Sequence, residues 1–224
     1  MVRKRRRKKN NNRIVVGVII MLAVCCMCVI KFINVGKSNM FFSGEKVYGK
    51  NEDLKKDPFK RKIPLYMQGD ERWGKIKYGD DCMKITGCGP TCLSMIRCGL
   101  GNDNSWTPDR VAKYAEDNGY YSKGNGSLWT LMSEGAGGIG LKVHNVVFDA
   151  NSILNTLKMG RPIICVMGPG DFTTEGHYIV LIDIEHKSGE IIVNDPNSKE
   201  NSYKTWSVET IMKQTKNLWA YSIN

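Results

Sequence analysis

Histidine is scarce in this chain: His144, His177 and His186 are the only three among 224 residues. Any chemistry that needs an imidazole therefore has three candidates. Glutamine is scarcer, with Gln68 and Gln214 alone. There is no internal repeat and no low-complexity tract, so a repeat array is not expected. Excess charge is missing from the larger part of the chain. Residues 64–224 hold sixteen Lys or Arg against eighteen Asp or Glu, and the overall charge of +11 comes from the first 63 residues. The basic face by which a nucleic-acid binder is recognised is absent there, which argues against a nucleic-acid partner.

The N-terminal bases have another explanation. Residues 1–13 carry eight Lys or Arg and no acid, and residues 14–30, IVVGVIIMLAVCCMCVI, are an unbroken apolar run. Seventeen residues lie at the short end of what spans a bilayer, and Phe32, Ile33 and Val35 extend the run past Lys31, which can snorkel. The basic flank is the positive-inside signal, so residues 1–13 are expected in the cytoplasm against anionic headgroups, and the C-terminal part outside the cell membrane. No A-x-A-like triplet follows the run, which favours an uncleaved signal anchor over residues 14–35 rather than a removed signal peptide. Leu22-Ala23-Val24-Cys25 fits a lipoprotein cleavage site poorly, because valine precedes the cysteine.

Residues 36–62 are polar, charged and aperiodic, and read as a stalk. Residues 63–224 suffice for one domain with a full core. Apolar patterning and punctuation place helices first, over residues 88–98 with Gly99 as cap, 107–118 and 127–134, the last stopped by the stretch 135–140. A strand at 141–148 and a helix at 151–159 follow. Strand-like runs at 162–167, 177–185 and 190–194 come next, then a short helix at 207–214 and a strand at 217–223. This order predicts an α+β domain with an antiparallel sheet.

Five cysteines fall in the domain, Cys82, Cys88, Cys92, Cys98 and Cys165, while Cys25, Cys26 and Cys28 lie in the apolar run, where packing or palmitoylation would occupy them. An odd number outside the cell leaves at least one thiol free. The first four of the five are separated by five, three and five residues, which matches no common zinc spacing, so no metal is expected. A lone cysteine in an apolar run is ordinarily a small core residue. Cys88 differs in three ways. Gly87 and Gly89 leave room for another chain to approach, Pro90 suits a first helical turn, and a helix N-terminus favours thiolate. Cys92 and Cys98 lie deeper in the same helix and are assigned to the core.

A thiolate nucleophile wants a base. His144 sits inside the strand-like KVHNVVF, and His186 lies at a hairpin tip between Glu185 and Lys187. His177 opens the apolar strand YIVLI after the loop PGDFTTEG, where an imidazole is both fixed and reachable.

Taken in order, YMQGDERW (66–73), Tyr78-Gly79, GCGPT (87–91), MGPGDF (167–172), GHYIVL (176–181) and NDPNS (194–198) resemble the papain-like cysteine peptidases of family 39, a group similar to the bacteriocin-processing peptidases. The resemblance covers about residues 63–224 and implies a papain-like fold without cofactor, acting on a peptide or protein substrate. Carried over, it makes Cys88 the nucleophile that forms a thioester acyl-enzyme, His177 its base and later the acid, and Asp195 the group that orients the imidazole. The backbone N–H of Cys88 and the amide of Gln68 would form the oxyanion hole. In the processing peptidases the glutamine lies a few residues before the cysteine, whereas here nineteen residues intervene. Trp73 and Tyr78 read as packing residues.

A two-residue turn at Lys187-Ser188 would set His177 opposite Ser198 and Asp195 opposite Val180. From that geometry either Asp195 or Asn197 could reach the imidazole, and the family pattern points to Asp195. The chain shows no second membrane run and no phosphate-binding loop, so fusion to a transporter is unsupported. The expected activity is that of a surface-anchored endopeptidase. The alternatives are an amidase or endopeptidase cutting peptidoglycan stem peptides, and a degenerate peptidase fold serving as a binding module.

Overall fold

A computed structural model of the chain describes residues 57–223. The expected basic tail, the apolar segment at 14–35 and the stalk up to residue 56 lie outside the described residues. Among the described residues no helix is long and apolar enough to cross a membrane.

The described chain enters through a small hairpin, β1 (Lys77–Tyr78) and β2 (Asp81–Cys82), followed by α1 (Met83–Thr86), the long helix α2 (Cys88–Gly101) and α3 (Pro108–Asp117). A second hairpin, β3 (Tyr121–Ser122) with β4 (Gly126–Ser127), leads to a π-helical turn (Leu131–Gly135) that continues as α4 (Ala136–Gly138). Then come β5 (Leu141–His144), α5 (Ala150–Lys158), β6 (Ile163–Met167), β7 (His177–Ile184) and β8 (Ile191–Asn194). The chain closes with α6 (Lys199–Ser202), β9 (Thr205–Trp206), α7 (Val208–Gln214) and β10 (Thr215–Ile223). Six strands form one sheet in the order β5-β10-β6-β7-β8-β9, with every neighbouring pair antiparallel. Helices precede most of the sheet, as the sequence predicts for an α+β domain.

This sheet is covered on both faces, which explains why its middle strands are solid apolar runs rather than alternating ones. On one face α2, with α3 packed against it, covers Ile164, Val166, Tyr178, Val180, Trp219 and Tyr221. On the other, Ile153 and Leu157 of α5 and Ile211 of α7 pack over Ile163, Cys165, Ile179, Leu181 and Leu218. All five residues of β6 are buried as a result.

Several local expectations are corrected. Helix α2 does not stop at Gly99 but runs to Gly101, and Asn102 takes the left-handed cap at φ 46°. Gly99 is there for packing, since a Cβ at that position would lie 2.6 Å from Ile63 Cδ1 and 2.8 Å from its Cα. The helical segment expected over residues 127–134 runs on to Gly138 before the stretch 135–140 ends it. It passes through the π-helical turn, with Gly135 against the Tyr120 ring and Gly138 against the Tyr114 hydroxyl. Ser127 itself belongs to β4, and β5 ends at His144 rather than at residue 148.

The last correction concerns register. The β7–β8 connection is a wider loop than Lys187-Ser188, closed by the Glu185 N–H donating to the Glu190 carbonyl at 2.7 Å, with Gly189 at φ 73°. Near the loop, Asp183 pairs Ile192, but a bulge between Leu181 and Asp183 shifts the ladder, so that Val180 faces Asn194 instead of Asp195. A one-residue slip exchanges the two faces of a strand. Continued, the shifted register brings Asp195 level with Ile179, two residues from His177 and of the same parity. The unshifted register would have put it on the opposite parity.

Gly89 marks the tightest contact of α2 with its surroundings. An added Cβ would stand 2.5 Å from Ser127 Oγ, 2.7 Å from Ser127 Cβ and 3.1 Å from Met132 Cε. Gly89→Ala is expected to lower stability by about 1–3 kcal/mol in urea unfolding through overpacking. In a Ser127→Gly background the penalty should fall to less than about half. An equal penalty in both backgrounds would place the strain elsewhere.

Candidate active site

Three element ends meet at one place. Cys88 is the first residue of α2, His177 is the first residue of β7, and Asp195 follows the last residue of β8. Helix α2 is held against β7 by Cys92, one turn beyond Cys88, whose thiol donates to the Tyr178 carbonyl at 3.3 Å. Since Tyr178 adjoins His177, that contact sets Cys88 beside the imidazole, near enough for each group to shift the ionisation of the other.

On its far side, His177 Nε2 lies 2.7 Å from Asp195 Oδ1. Its remaining ring nitrogen, Nδ1, is the one left for Cys88. Asp195 is wholly buried and its carboxylate is fully engaged. The Asn197 backbone N–H donates to Oδ1 at 2.9 Å, and the Asn201 amide donates to Oδ2 at 2.9 Å. Ser202 Oγ accepts the Asp195 N–H at 2.9 Å and fixes the backbone. Asn197 thus meets Asp195 through its main chain, and among the two candidates it is the Asp195 carboxylate that lies against the imidazole.

The charges follow from these contacts. Burial opposes ionisation of Cys88, but the hydrogen bond from His177, its positive charge, and backbone hydrogen bonds from Tyr178 and Gly89 outweigh it and lower the thiol below its usual value of 9.0. Burial likewise opposes the charge on His177. The hydrogen bonds to Asp195 and Cys88, reinforced by their negative charges, overcome it and push the imidazole up to about 10. Both shifts favour the thiolate–imidazolium form of the pair over the neutral one.

The other thiols behave differently. All five domain cysteines are free, and burial raises Cys92, Cys98 and Cys165, the last to about 12. His144 bonds Ser222 Oγ at 2.8 Å within the sheet, and His186 is exposed in the β7–β8 loop, as the sequence suggests for both.

Gln68 is 4% exposed. Its backbone N–H donates to the Pro196 carbonyl at 2.8 Å, which ties it to the residue after Asp195. Its side-chain Nε2 donates to the Lys84 carbonyl at 2.7 Å, with the Ile85 carbonyl at 3.5 Å, so the amide is directed at the turn entering Cys88. Oε1 is buried with no hydrogen-bond partner among the described residues. Trp73 and Tyr78 are buried: the Trp73 indole N–H donates to the Met67 carbonyl, and the Tyr78 hydroxyl is 2.7 Å from Ser127 Oγ. Asn201 and Ser202, which complete the surroundings of Asp195, were missed by sequence reasoning, since nothing in the polar run KENS separates them from any loop.

The profile of the Peptidase_C39-like family matches residues 60–223. The chain belongs to that family. The C39-like chain is thus a cysteine peptidase, a class that acts on peptides. No curated protein sequence matches it. Thirteen chains of solved structures do. One is the peptidase domain of Streptococcus ComA, described as a bifunctional ABC transporter involved in a quorum-sensing pathway. It is 16% identical, with a TM-score of 0.50, and the match covers 72% of this chain and 99% of that one. At that identity the likeness concerns the fold of the C39-like domain alone.

The ion pair fixes a pH window with a definite sign. Alkylation of Cys88 by iodoacetamide should exceed that of Cys82, Cys92, Cys98 and Cys165 at neutral pH. The thiolate–imidazolium form should be lost as pH rises through about 10, where His177 deprotonates, and as pH falls through the lowered value of Cys88. Asp195→Ala removes a group that raises His177, so the alkaline limit should move to lower pH. Equal labelling of all five thiols would contradict the ion pair.

Proposed function

We propose that this C39-like peptidase is a membrane-anchored endopeptidase that works outside the cell through Cys88, His177 and Asp195. The observation that carries the catalytic reading is the meeting of Cys88, His177 and Asp195 at three element ends, with His177 Nε2 2.7 Å from a wholly buried Asp195. The Cys88 thiolate attacks the scissile carbonyl carbon and pushes its electron pair onto oxygen. His177 gives its proton to the leaving amine as the C–N bond breaks, and a thioester remains on Sγ. Neutral His177 then takes a proton from water, whose oxygen attacks the thioester. The C–Sγ bond then breaks with its electron pair going to sulfur, the carboxylic acid leaves, and the proton kept by His177 restores the pair of thiolate and imidazolium. Asp195 holds the imidazole in place and stabilises its charged form in both halves.

The developing oxyanion needs donors. Unpaired backbone N–H groups of the first turn of α2 are one source. Gln68 Nε2 carries two hydrogens, of which the Lys84 carbonyl takes one at 2.7 Å, while the Ile85 carbonyl stands at 3.5 Å. The second N–H is the proposed side-chain donor. Membrane anchoring rests on the apolar residues 14–35, and surface exposure on the eight bases before them.

Turnover of a peptide library, with purified peptidoglycan in parallel, should vanish in Cys88→Ala while the fold is retained. Cleavage confined to peptidoglycan would replace the endopeptidase reading by a cell-wall one. Asp195→Ala should lower kcat at least roughly tenfold more than Asn197→Ala, about 1.4 kcal/mol of transition-state stabilisation. The opposite order at equal folded stability would transfer the orienting role. Gln68→Ala should lower kcat by about a hundredfold with little change in KM, and an unchanged kcat would leave Gln68 a packing residue. Protease added to intact cells should digest the domain and spare residues 1–13; a protected domain would refute the surface reading.

A further inference from the structure

The residues just before the domain reach its most buried charge. Residues 57–62 belong to the stalk as read from sequence, yet the Arg61 side chain is only 4% exposed. Its Nε donates to Asp57 Oδ2 at 2.7 Å, and the same carboxylate group accepts the Phe59 N–H at 2.9 Å. Its two terminal nitrogens turn inward. One donates to the Val193 carbonyl at 3.0 Å and to Asn194 Oδ1, and the other to the Ser202 carbonyl. These acceptors bracket Asp195. Val193 and Asn194 precede it on β8, and Ser202 supplies the hydroxyl that accepts the Asp195 N–H. The grip is reciprocal, because Asn194 Nδ2 donates to the Pro64 carbonyl at 2.9 Å and to the Ile63 carbonyl at 3.3 Å.

A planar guanidinium can hold carbonyls of two separate segments at once, which a lysine ammonium on a flexible stem does less well. Here the two segments are the end of β8 and the end of α6. Between them runs residues 195–198, which carry the carboxylate that faces His177. We infer that Arg61 is a positioning residue: by clamping Val193 and Asn194 to Ser202 it sets the place of the Asp195 carboxylate against His177, so the last stretch of the stalk is part of the catalytic apparatus. The inference rests on the proposed role of Asp195 and goes beyond it by making the arrangement depend on a residue outside the triad.

A positioning role and a direct field effect have opposite signs. The charged groups that act most on the imidazole are Cys88 from α2 and Asp195 beyond β8. Loss of a nearby positive charge would make the imidazolium easier to keep and raise the alkaline limit of the ion pair. Loss of Asp195's placement lowers it.

The experiment measures Cys88 alkylation by iodoacetamide against pH in the full chain, alongside kcat and KM, for wild type, Asp195→Ala, Arg61→Met and Arg61→Lys. Turnover is normalised to folded protein. Arg61→Met should move the alkaline limit in the same direction as Asp195→Ala, by at least about half a pH unit. It should lower kcat about tenfold or more with KM within about twofold, and Arg61→Lys should fall between it and wild type. Alkylation needs no substrate, so the two readings fail separately. If Asp195→Ala shifts the limit and Arg61→Met does not, or shifts it upward, the inference is wrong and the triad stands. If Asp195→Ala shifts nothing, the triad itself is wrong. Should Arg61→Met not fold, Arg61→Lys decides by the same criterion, and loss of fold in both would reduce Arg61 to a structural residue.

Discussion

A carboxylate without solvent exposure constrains everything around it. Removing such a charge from water costs several kcal/mol even after relaxation, and only close partners offset that cost. Asp195 obtains them from its own loop and from His177, through the Asn197 N–H, the Asn201 amide and Nε2 of the imidazole. Breaking one partnership leaves a buried charge short of a donor, so the loop after β8 has one favourable arrangement rather than several. The imidazole inherits that arrangement. With Nε2 bound to Asp195, only Nδ1 is free to face α2, and the ring plane is set before any substrate arrives.

Cys88 and Cys92 provide an internal comparison of what makes a thiolate. Both are on α2, one turn apart, and for both burial is the largest influence and opposes ionisation. A helix N-terminus is worth about 0.3–1 kcal/mol near the surface, less than one pKa unit. That is too little to reverse the burial of a thiol. Cys88 goes down and Cys92 goes well up because only Cys88 has the imidazolium beside it. The helix terminus therefore assists, and the histidine decides. Cys92 serves the same end differently, as the contact that holds α2 over Tyr178.

Those features legible in the sequence were the ones written in local chemistry. Two glycines around Cys88, a proline in the next turn and a histidine at the mouth of an apolar strand each point to a conformation that nearby residues require. The antiparallel sheet could be read from solid apolar runs and a hairpin loop. Register could not, because a bulge between Leu181 and Asp183 has no local signal and is settled by how both faces of β7 pack at once. Gly99 was misread for a related reason. A glycine near a helix end looks like a cap, and only the crossing of Ile63 over it reveals a packing role. Arg61 was hidden by composition, since among so many Lys and Arg nothing separates a buried guanidinium from a solvated one.

The site also reconciles two opposed demands. His177 and Asp195 have to be dry for their hydrogen bond to be strong, whereas Cys88, as the proposed nucleophile, would have to be reached by a polypeptide. The fold meets both by using the ends of elements. His177 starts β7 and Asp195 follows β8, where the two cores around the sheet still exclude water. Cys88 starts α2 and is half-buried rather than sealed, while the glycines on either side of it, expected to leave room for another chain, are themselves buried, Gly87 against Met83 and Gly89 against Ser127. Moving the cysteine one turn along the same helix reaches the position of Cys92, with no exposed surface and no imidazole. The reactivity proposed for Cys88 would thus be a property of the place where helix, strand and loop stop, and the packed interior on either side keeps those three endpoints in register.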